Sequence, residues 1–557
     1  MVSARTREVN VALENIPNVT VIKPFIQGKM CIEGRISVFI DGLLDPLFFN
    51  VSIYPQYPFK SHDSETIKFS NVELLEYKHV MRDGAICIHT AHSPILAEKL
   101  SYDIASVKSW IQQYYINKYT DTHYEHLIVP EKVFKGNYFA FLFNEVEYTF
   151  NKNQYGFVDY SALSNGVFYK DNIRNHIVQS FYDNNWKILA DVKWNFQLKS
   201  LPISRGLFIF LEDAPSNNQR WTFENWNEFE TLIPQEFLEF LHSVEENASK
   251  EKGKQLPLFV GYIIADEEIH WQVIMLEIGN FPIYGEKVNK KWLTAIDKGK
   301  TIDWAMTRNC SYKYFFGRGR LNEKLTEAKI LIIGIGAIGS ILAKTLVRSG
   351  CTKVDFIDYD IKEPENVCRS EYSFYTGITN KTNDLINEMC LISPFYESKN
   401  GGYNYSETFD FFLKSHLTDI TIKAEIENRL NEYDIIFDCS ADNDLLYVLS
   451  QLSISSKLLN LSISNHAKQL VCATEQNRYD FICTQFNGNV LKFEIDDLYN
   501  PTGCWNPTFK ASYNDINLLV QAAIKHINLR FQHDKALRNF VIETEDSICL
   551  DIKLKEF

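Results

Sequence analysis

Three glycines at fixed spacing, Gly334, Gly336 and Gly339, lie in the run Gly334-Ile335-Gly336-Ala337-Ile338-Gly339. A short apolar stretch, 329–333, precedes them, and a periodic one that reads as a helix, 340–348, follows. Glycines let a backbone approach a phosphate, and a helix N-terminus adds N–H donors and positive dipole. The motif alone says nucleotide without saying which, and a ligand-free strand–helix turn stays open. Asp358 ends a second apolar strand, 353–357, 19 residues after Gly339. A carboxylate there can hold ribose hydroxyls. To that point an NAD oxidoreductase fits equally well. Asp360, Asn366 and Arg369 decide against it. A hydride-transfer cofactor has no reactive phosphate for an amide, a guanidinium and carboxylates to serve. ATP cleaved between its α- and β-phosphates does need them: Arg stabilises charge on the α-phosphate, and carboxylates hold Mg2+. Lys381 adds a second cation. Asp442 follows a third strand, 434–437, at the carboxyl edge of a sheet.

A thiol offers a second kind of chemistry. Cys504 lies in Gly503-Cys504-Trp505-Asn506-Pro507-Thr508-Phe509, where a Gly before and a Pro after favour a rigid loop over a helix interior. An exposed loop thiol can ionise and attack. Facing an acyl adenylate, a reactive mixed anhydride, its thiolate would take the acyl group as a thioester. A buried structural cysteine is the alternative.

These motifs carry a resemblance. The pattern G-x-G-x-x-G … D-x-D-x(5)-N-x-x-R from Gly334 to Arg369, with Asp442 downstream, resembles the E1-type adenylation domain of ubiquitin activation and of thiamine and molybdopterin sulfur transfer. The resemblance implies that Asp358 contacts ribose, that Asn366, Arg369 and Lys381 contact phosphates, and that Asp442 holds magnesium. ATP and Mg2+ are the implied cofactors. Paired C-x-x-C zinc ligands, frequent in that family, are missing from the sequence, so no structural zinc is expected. The Cys504 element is similar to the E1 catalytic-cysteine loop of bacterial E1–E2 fusions. Near the N-terminus, Tyr57-Pro58-Phe59-Lys60 precedes Gly84-Ala85-Ile86-Cys87-Ile88. Together with a hairpin before and a helix after, this is similar to the ubiquitin-conjugating E2 fold, which makes Cys87 the implied acyl carrier. E2 enzymes usually place His-Pro-Asn ahead of the cysteine, and here the stretch reads His79-Val80-Met81. A substitute donor or base is then expected among His79, His89 and His92, with His92 preferred to His89.

The whole order resembles the E1–E2 fusion proteins of bacterial CBASS antiphage operons. That resemblance implies an acyl substrate that is the C-terminus of a cGAS-like cyclic-oligonucleotide synthase, a lysine- or other amine-bearing target, and a homodimer. Conjugation of a dedicated ubiquitin-like protein and a non-catalytic nucleotide-sensing scaffold are the alternatives.

Such groups need elements to hold them. At 557 residues the chain has length for three to four domains. Its 45% hydrophobic and 23% charged residues exclude a disordered or fibrous chain. Residues 1–150 are expected to form an E2-like α+β domain, with a hairpin of 35–40 and 47–53 and a helix capped by Ser101. Residues 151–315 form a middle α+β linker of unknown fold. It holds seven of the nine tryptophans, expected in core, and a charged loop over 243–255. Strand–helix alternation from 316 to 557 reads as a doubly wound, Rossmann-like adenylation domain. Net charge is 57 − 71 = −14, which argues against a global grip on nucleic acid or on anionic membrane. No apolar run is long enough to span a bilayer. Eleven cysteines without C-x-x-C spacing, and no leader-like N-terminus, fit a reducing cytoplasm.

Overall fold

The computed structural model describes residues 4–62, 64–119, 131–168, 170–217, 221–264, 268–289, 291–297, 299–398, 420–464, 466–487, 510–545 and 549–557. Buried apolar side chains gather into separate cores along the chain.

The first core lies between helix α1 (Ala4–Glu14), strands β1 (Val19–Gln27), β2 (Ile32–Val38), β3 (Leu47–Ile53) and β4 (Ile67–Ser70), and helix α2 (Leu96–Trp110). The strands form an antiparallel meander in chain order. Phe49, Val51 and Ile53 alternate inward from β3, as a sheet with one covered face requires. From α2, Leu100, Ile104, Val107 and Trp110 recur every three or four residues and cover that face. The helix begins at Leu96, five residues ahead of the expected cap, and Ser101 is an exposed mid-helix residue. Its apolar stripe already starts at Leu96, so burial sets the start, and Ile95 at the N-cap makes no side-chain bond.

The strand Asn137–Phe143 leaves this unit. It runs parallel to Met306–Asn309 and to Asp171–Asp183 inside the middle sheet. The first core ends with Ile116, and Asn137–Phe143 already pairs within the middle sheet. Among the described residues the middle sheet has nine strands. Helix α3 (Gln235–Asn247) buries Phe237, Leu238 and Leu241 on one face of it, while an aromatic cluster around Phe150, Phe181 and Trp271 fills the other. Trp194, Trp221, Trp226, Trp271 and Trp304 are buried, whereas Trp186 stacks on Phe157 at the surface. The charged run 243–255 is the end of α3 and a short connection to the strand Gln255–Ile263, because the buried stripe of the helix continues to Glu245.

The last sheet has seven strands: β5 (Ile330–Ile333), β6 (Val354–Ile357), β7 (Ile435–Asp438), β8 (Lys457–Ile463), β9 (Gln469–Ala473), β10 (Phe540–Glu545) and β11 (Asp551–Glu556). Their spatial order is β6-β5-β7-β8-β9-β10-β11. The first four are parallel and the rest antiparallel, so the Rossmann-like winding holds for one half of the sheet. Helices α4 (Ala337–Arg348), α5 (Lys381–Ile392) and, later in the chain, α8 (Tyr513–Gln532) share a core on one face. Helices α6 (Ile420–Leu430) and α7 (Asn443–Ser450) cover the other. Covered on both sides, β5, β6 and β7 are buried at every position.

The middle segment grips this unit through Asn195. Its buried side-chain amide donates to the carbonyls of Cys390 (2.9 Å) and Ser393 (3.0 Å) at the end of α5, and its N–H donates to Pro394 O (2.7 Å). Among the described residues no helix is long and apolar enough to cross a membrane.

Candidate functional site

Strand order reverses around β5, which has β6 on one side and β7 on the other. Crevices outside the carboxyl ends of strands at such a point are where open α/β sheets bind ligands. The Gly-rich turn follows β5, Asp358 follows β6, and Asp442 follows β7.

The three glycines have different reasons to be glycine. Gly334 sits at φ +78, and a Cβ there would stand 2.5 Å from Ser440 Cα. A Cβ on Gly339 would stand 2.1 Å from Gly334 O. Both are demanded by the protein's own packing. A Cβ on Gly336 would meet no heavy atom within 4 Å. That opening, at the N-cap of α4, suits a phosphate group.

Asp358, almost wholly buried, clamps the turn. Its Oδ2 accepts from Ile335 N–H (2.8 Å) and its Oδ1 from Asp360 N–H (2.9 Å). Burial pushes its carboxyl above the ordinary range, against the opposing pull of Lys381 and these N–H donors. Lys381, the first residue of α5, pairs through Nζ with Asp360 Oδ2. Burial pushes the Tyr359 phenol above its ordinary value, and the charges of Asp360, Asp358 and Asp442 add to that. Asp442 uses Oδ1 to cap α7, accepting from the N–H groups of Asp444 (2.9 Å) and Leu445 (3.0 Å). Asn366 sits in the short helix Pro364–Val367, where its Oδ1 accepts from Glu363 N–H (2.9 Å). The Arg369 N–H donates to Asn366 O (3.1 Å), which fixes where the guanidinium departs from the crossover. The structure therefore joins the Gly-rich turn, Asp358, Asp360, Lys381 and Asp442, and sets Asn366 and Arg369 together on the crossover after β6.

Sequence reasoning missed what holds that crossover under the turn. Buried Tyr372 donates its hydroxyl to Ile335 O, and Glu371 N–H donates to Ser340 Oγ (3.2 Å). Nothing in their spacing signals these bonds.

In the first segment Cys87 lies past β4, where Val80 bridges Ile86 and Cys87 N–H donates to His79 O (2.8 Å). Its thiol is exposed. Packing on its inner side nevertheless pushes it above the ordinary value. His89 Nε2 is 3.6 Å from Cys87 Sγ. His92 lies instead beside Phe59, with ring centroids 6.1 Å apart. His79 is in the left-handed region, φ +58, against the Tyr114 ring. Proximity thus favours His89 over His92, the reverse of the sequence preference. Cys504 lies outside the described residues. Among them, no group of three or more His, Cys, Asp or Glu side chains is placed to hold a metal.

Comparisons with known proteins agree with the nucleotide reading. Residues 308–514 match the ThiF family. The ATP-dependent ubiquitin transferase-like protein Cap2 of Enterobacter hormaechei subsp. hoffmannii (strain UCI 50) is 23% identical over 382 residues, 63% of this chain and 60% of that protein. Ubiquitin-like modifier-activating enzyme 5 of Drosophila persimilis is 26% identical over 140 residues, 25% of this chain and 35% of that enzyme. The chain thus covers less than two thirds of either relative. A crystal structure of E. coli MccB with AMPCPP and MccA overlaps 42% of this chain and 64% of its own, at 15% identity and a TM-score of 0.28. Residues 308–514 are thus the part of this chain that is similar to the ThiF family.

Proposed function

We propose that this chain activates a protein C-terminus with ATP and passes it between two cysteines to an amine. The observation that carries the reading is the opening at Gly336, bordered by the cluster of Asp358, Asp360, Lys381 and Asp442. Backbone donors at the N-terminus of α4 and the open space at Gly336 suit a phosphate group. Asp358 would orient ribose, Lys381 and Arg369 would draw charge from the phosphates, and Asp442 would hold Mg2+, which neutralises phosphate charge when bound.

In the first step a substrate carboxylate oxygen attacks the α-phosphorus, the bond to the β-phosphate oxygen breaks, and pyrophosphate leaves. The Cys504 thiolate then attacks the acyl carbonyl and AMP leaves. Cys87 attacks the resulting thioester and Cys504 departs as thiolate. An amine finally attacks the Cys87 thioester carbonyl, giving its proton to a base, for which His89 is the nearest candidate; the C–S bond breaks and Cys87 departs as thiolate. The E2-like role of the first segment is supported by its order of helix, four-stranded meander, exposed cysteine and helix. The resemblance to CBASS fusions assigns as substrate the C-terminus of a cGAS-like synthase, in the cytoplasm of an infected cell, with two copies of the chain acting together.

ATP–pyrophosphate exchange tests the reading. Exchange that requires an added protein with an intact C-terminus is the expected result. Nucleotide binding without any exchange would refute it in favour of a scaffold.

A further inference from the structure

Residues 88–95, between Cys87 and α2, contain no regular element, yet a buried polar network fixes them. Thr90 is gripped through two groups. Its N–H donates to Glu65 Oε1 (3.2 Å), and its hydroxyl donates to Asp103 Oδ1 (2.6 Å). Lys99 sits at the centre, 1% exposed. Its Nζ donates to Glu65 Oε2 (2.8 Å), Asp103 Oδ1 (2.5 Å) and Thr90 Oγ1 (2.5 Å). Tyr57 closes the cluster by donating to Asp103 Oδ2 (2.7 Å).

Such a cluster is a poor way to gain stability. Taking an ammonium and two carboxylates out of water costs heavily, and apolar side chains of similar volume often do as well. What charges gain over apolar packing is direction: each hydrogen bond fixes an angle as well as a distance. The carboxylates come from the chain before β4 and from α2, and both point at one threonine, three residues past Cys87. They stay correctly placed only while a cation between them offsets their repulsion.

We infer that Lys99 is a positioning residue for Cys87: by joining Glu65, Asp103 and Thr90 it sets the path of residues 87–90 and so holds His89 against the thiol. The inference takes Cys87 as the acyl carrier, but its own test does not require an acyl group.

The test is alkylation of Cys87 by iodoacetamide in the full chain, followed by mass spectrometry, together with hydrogen exchange of the 87–95 amides. Lys99→Met and Thr90→Val are expected to change the alkylation rate by at least about tenfold, since small misplacement of a reacting group has large rate effects. Both should raise exchange over 87–95, because a segment without its side-chain anchors opens locally. Thr90→Ser, which keeps the hydroxyl, should restore both readouts. If Lys99→Met does not fold, the Thr90 pair decides alone. Wild-type alkylation and exchange in Thr90→Val would overturn the inference. Failure of the acyl-carrier reading looks different: no thioester on Cys87 in the wild type, with the alkylation contrast intact.

Discussion

Lys381 Nζ is paired with Asp360, two residues beyond the carboxylate that clamps the Gly-rich turn. The ammonium stands at the first position of α5, where helix dipole and lysine charge both favour an anion. With Asp360 half exposed, an arriving phosphate can compete for this lysine. A hydrogen bond to a charged group contributes roughly 1.5–3 kcal/mol. Lys381→Met is therefore expected to raise the ATP requirement of pyrophosphate exchange by about 10- to 150-fold. An unchanged ATP dependence would remove Lys381 from the site.

Arg369 is expected to act later in the same step. If its guanidinium neutralises charge building on the α-phosphate, Arg369→Ala slows exchange by about 10- to 150-fold. Thermal unfolding should match wild type, because the residue is only half-buried. Wild-type exchange in this variant would exclude the role.

The glycines separate folding from binding. Gly334→Ala places a side chain in the left-handed region and into Ser440, at a cost of at least about 1–3 kcal/mol. A lowered melting temperature is the expected sign. Gly336→Ala adds a methyl where the protein has nothing. Melting should stay near wild type while nucleotide affinity, measured by calorimetry, falls. Equal affinity would mean that no phosphate approaches this position.

The cysteines can be ordered by trapping. Cys504→Ala should still form acyl-AMP and no thioester, whereas Cys87→Ala should load Cys504 and stall. A Cys504→Ala protein that still charges Cys87 would show that Cys87 takes the adenylate directly. His89→Ala should slow discharge of preloaded Cys87 to lysine by about 10²-fold, in the range for general acid–base groups, with His92→Ala near wild type.

The Cys87 thiol is pushed upward by burial from an ordinary value of 9.0. Its reactive form is the deprotonated one, so a raised value leaves less thiolate at neutral pH. Alkylation of Cys87 should therefore climb about tenfold per pH unit from neutrality and still be climbing at pH 9.0. A plateau near pH 7 would mean that a neighbouring charge stabilises the thiolate.

The Gly-rich turn and the elements around it were legible because their signals are local. A Gly-rich turn between an apolar strand and a helix, and an acid at the end of the next strand, need only short-range order to be read. The bonds that hold Asp358 to Ile335 and Tyr372 to Ile335 O cross 23 and 37 residues and leave no periodic trace. The Lys99 network was invisible for a related reason: a lysine among polar residues on a helix reads as solvated until the fold buries it. The helix expected after Ser101 starts earlier, and the strand Asn137–Phe143 gave no signal, because partners distant in sequence decide where such elements begin and with what they pair.

Asn195 turns α5 into a rod held at both ends. One tip carries Lys381, paired with Asp360, and the other is tied to a different part of the chain through two carbonyls that would otherwise need water. Twelve residues of helix span about 18 Å. The two ends of one helix thus belong to different neighbours, the Gly-rich turn's clamp at Lys381 and the tryptophan-rich middle segment at Asn195.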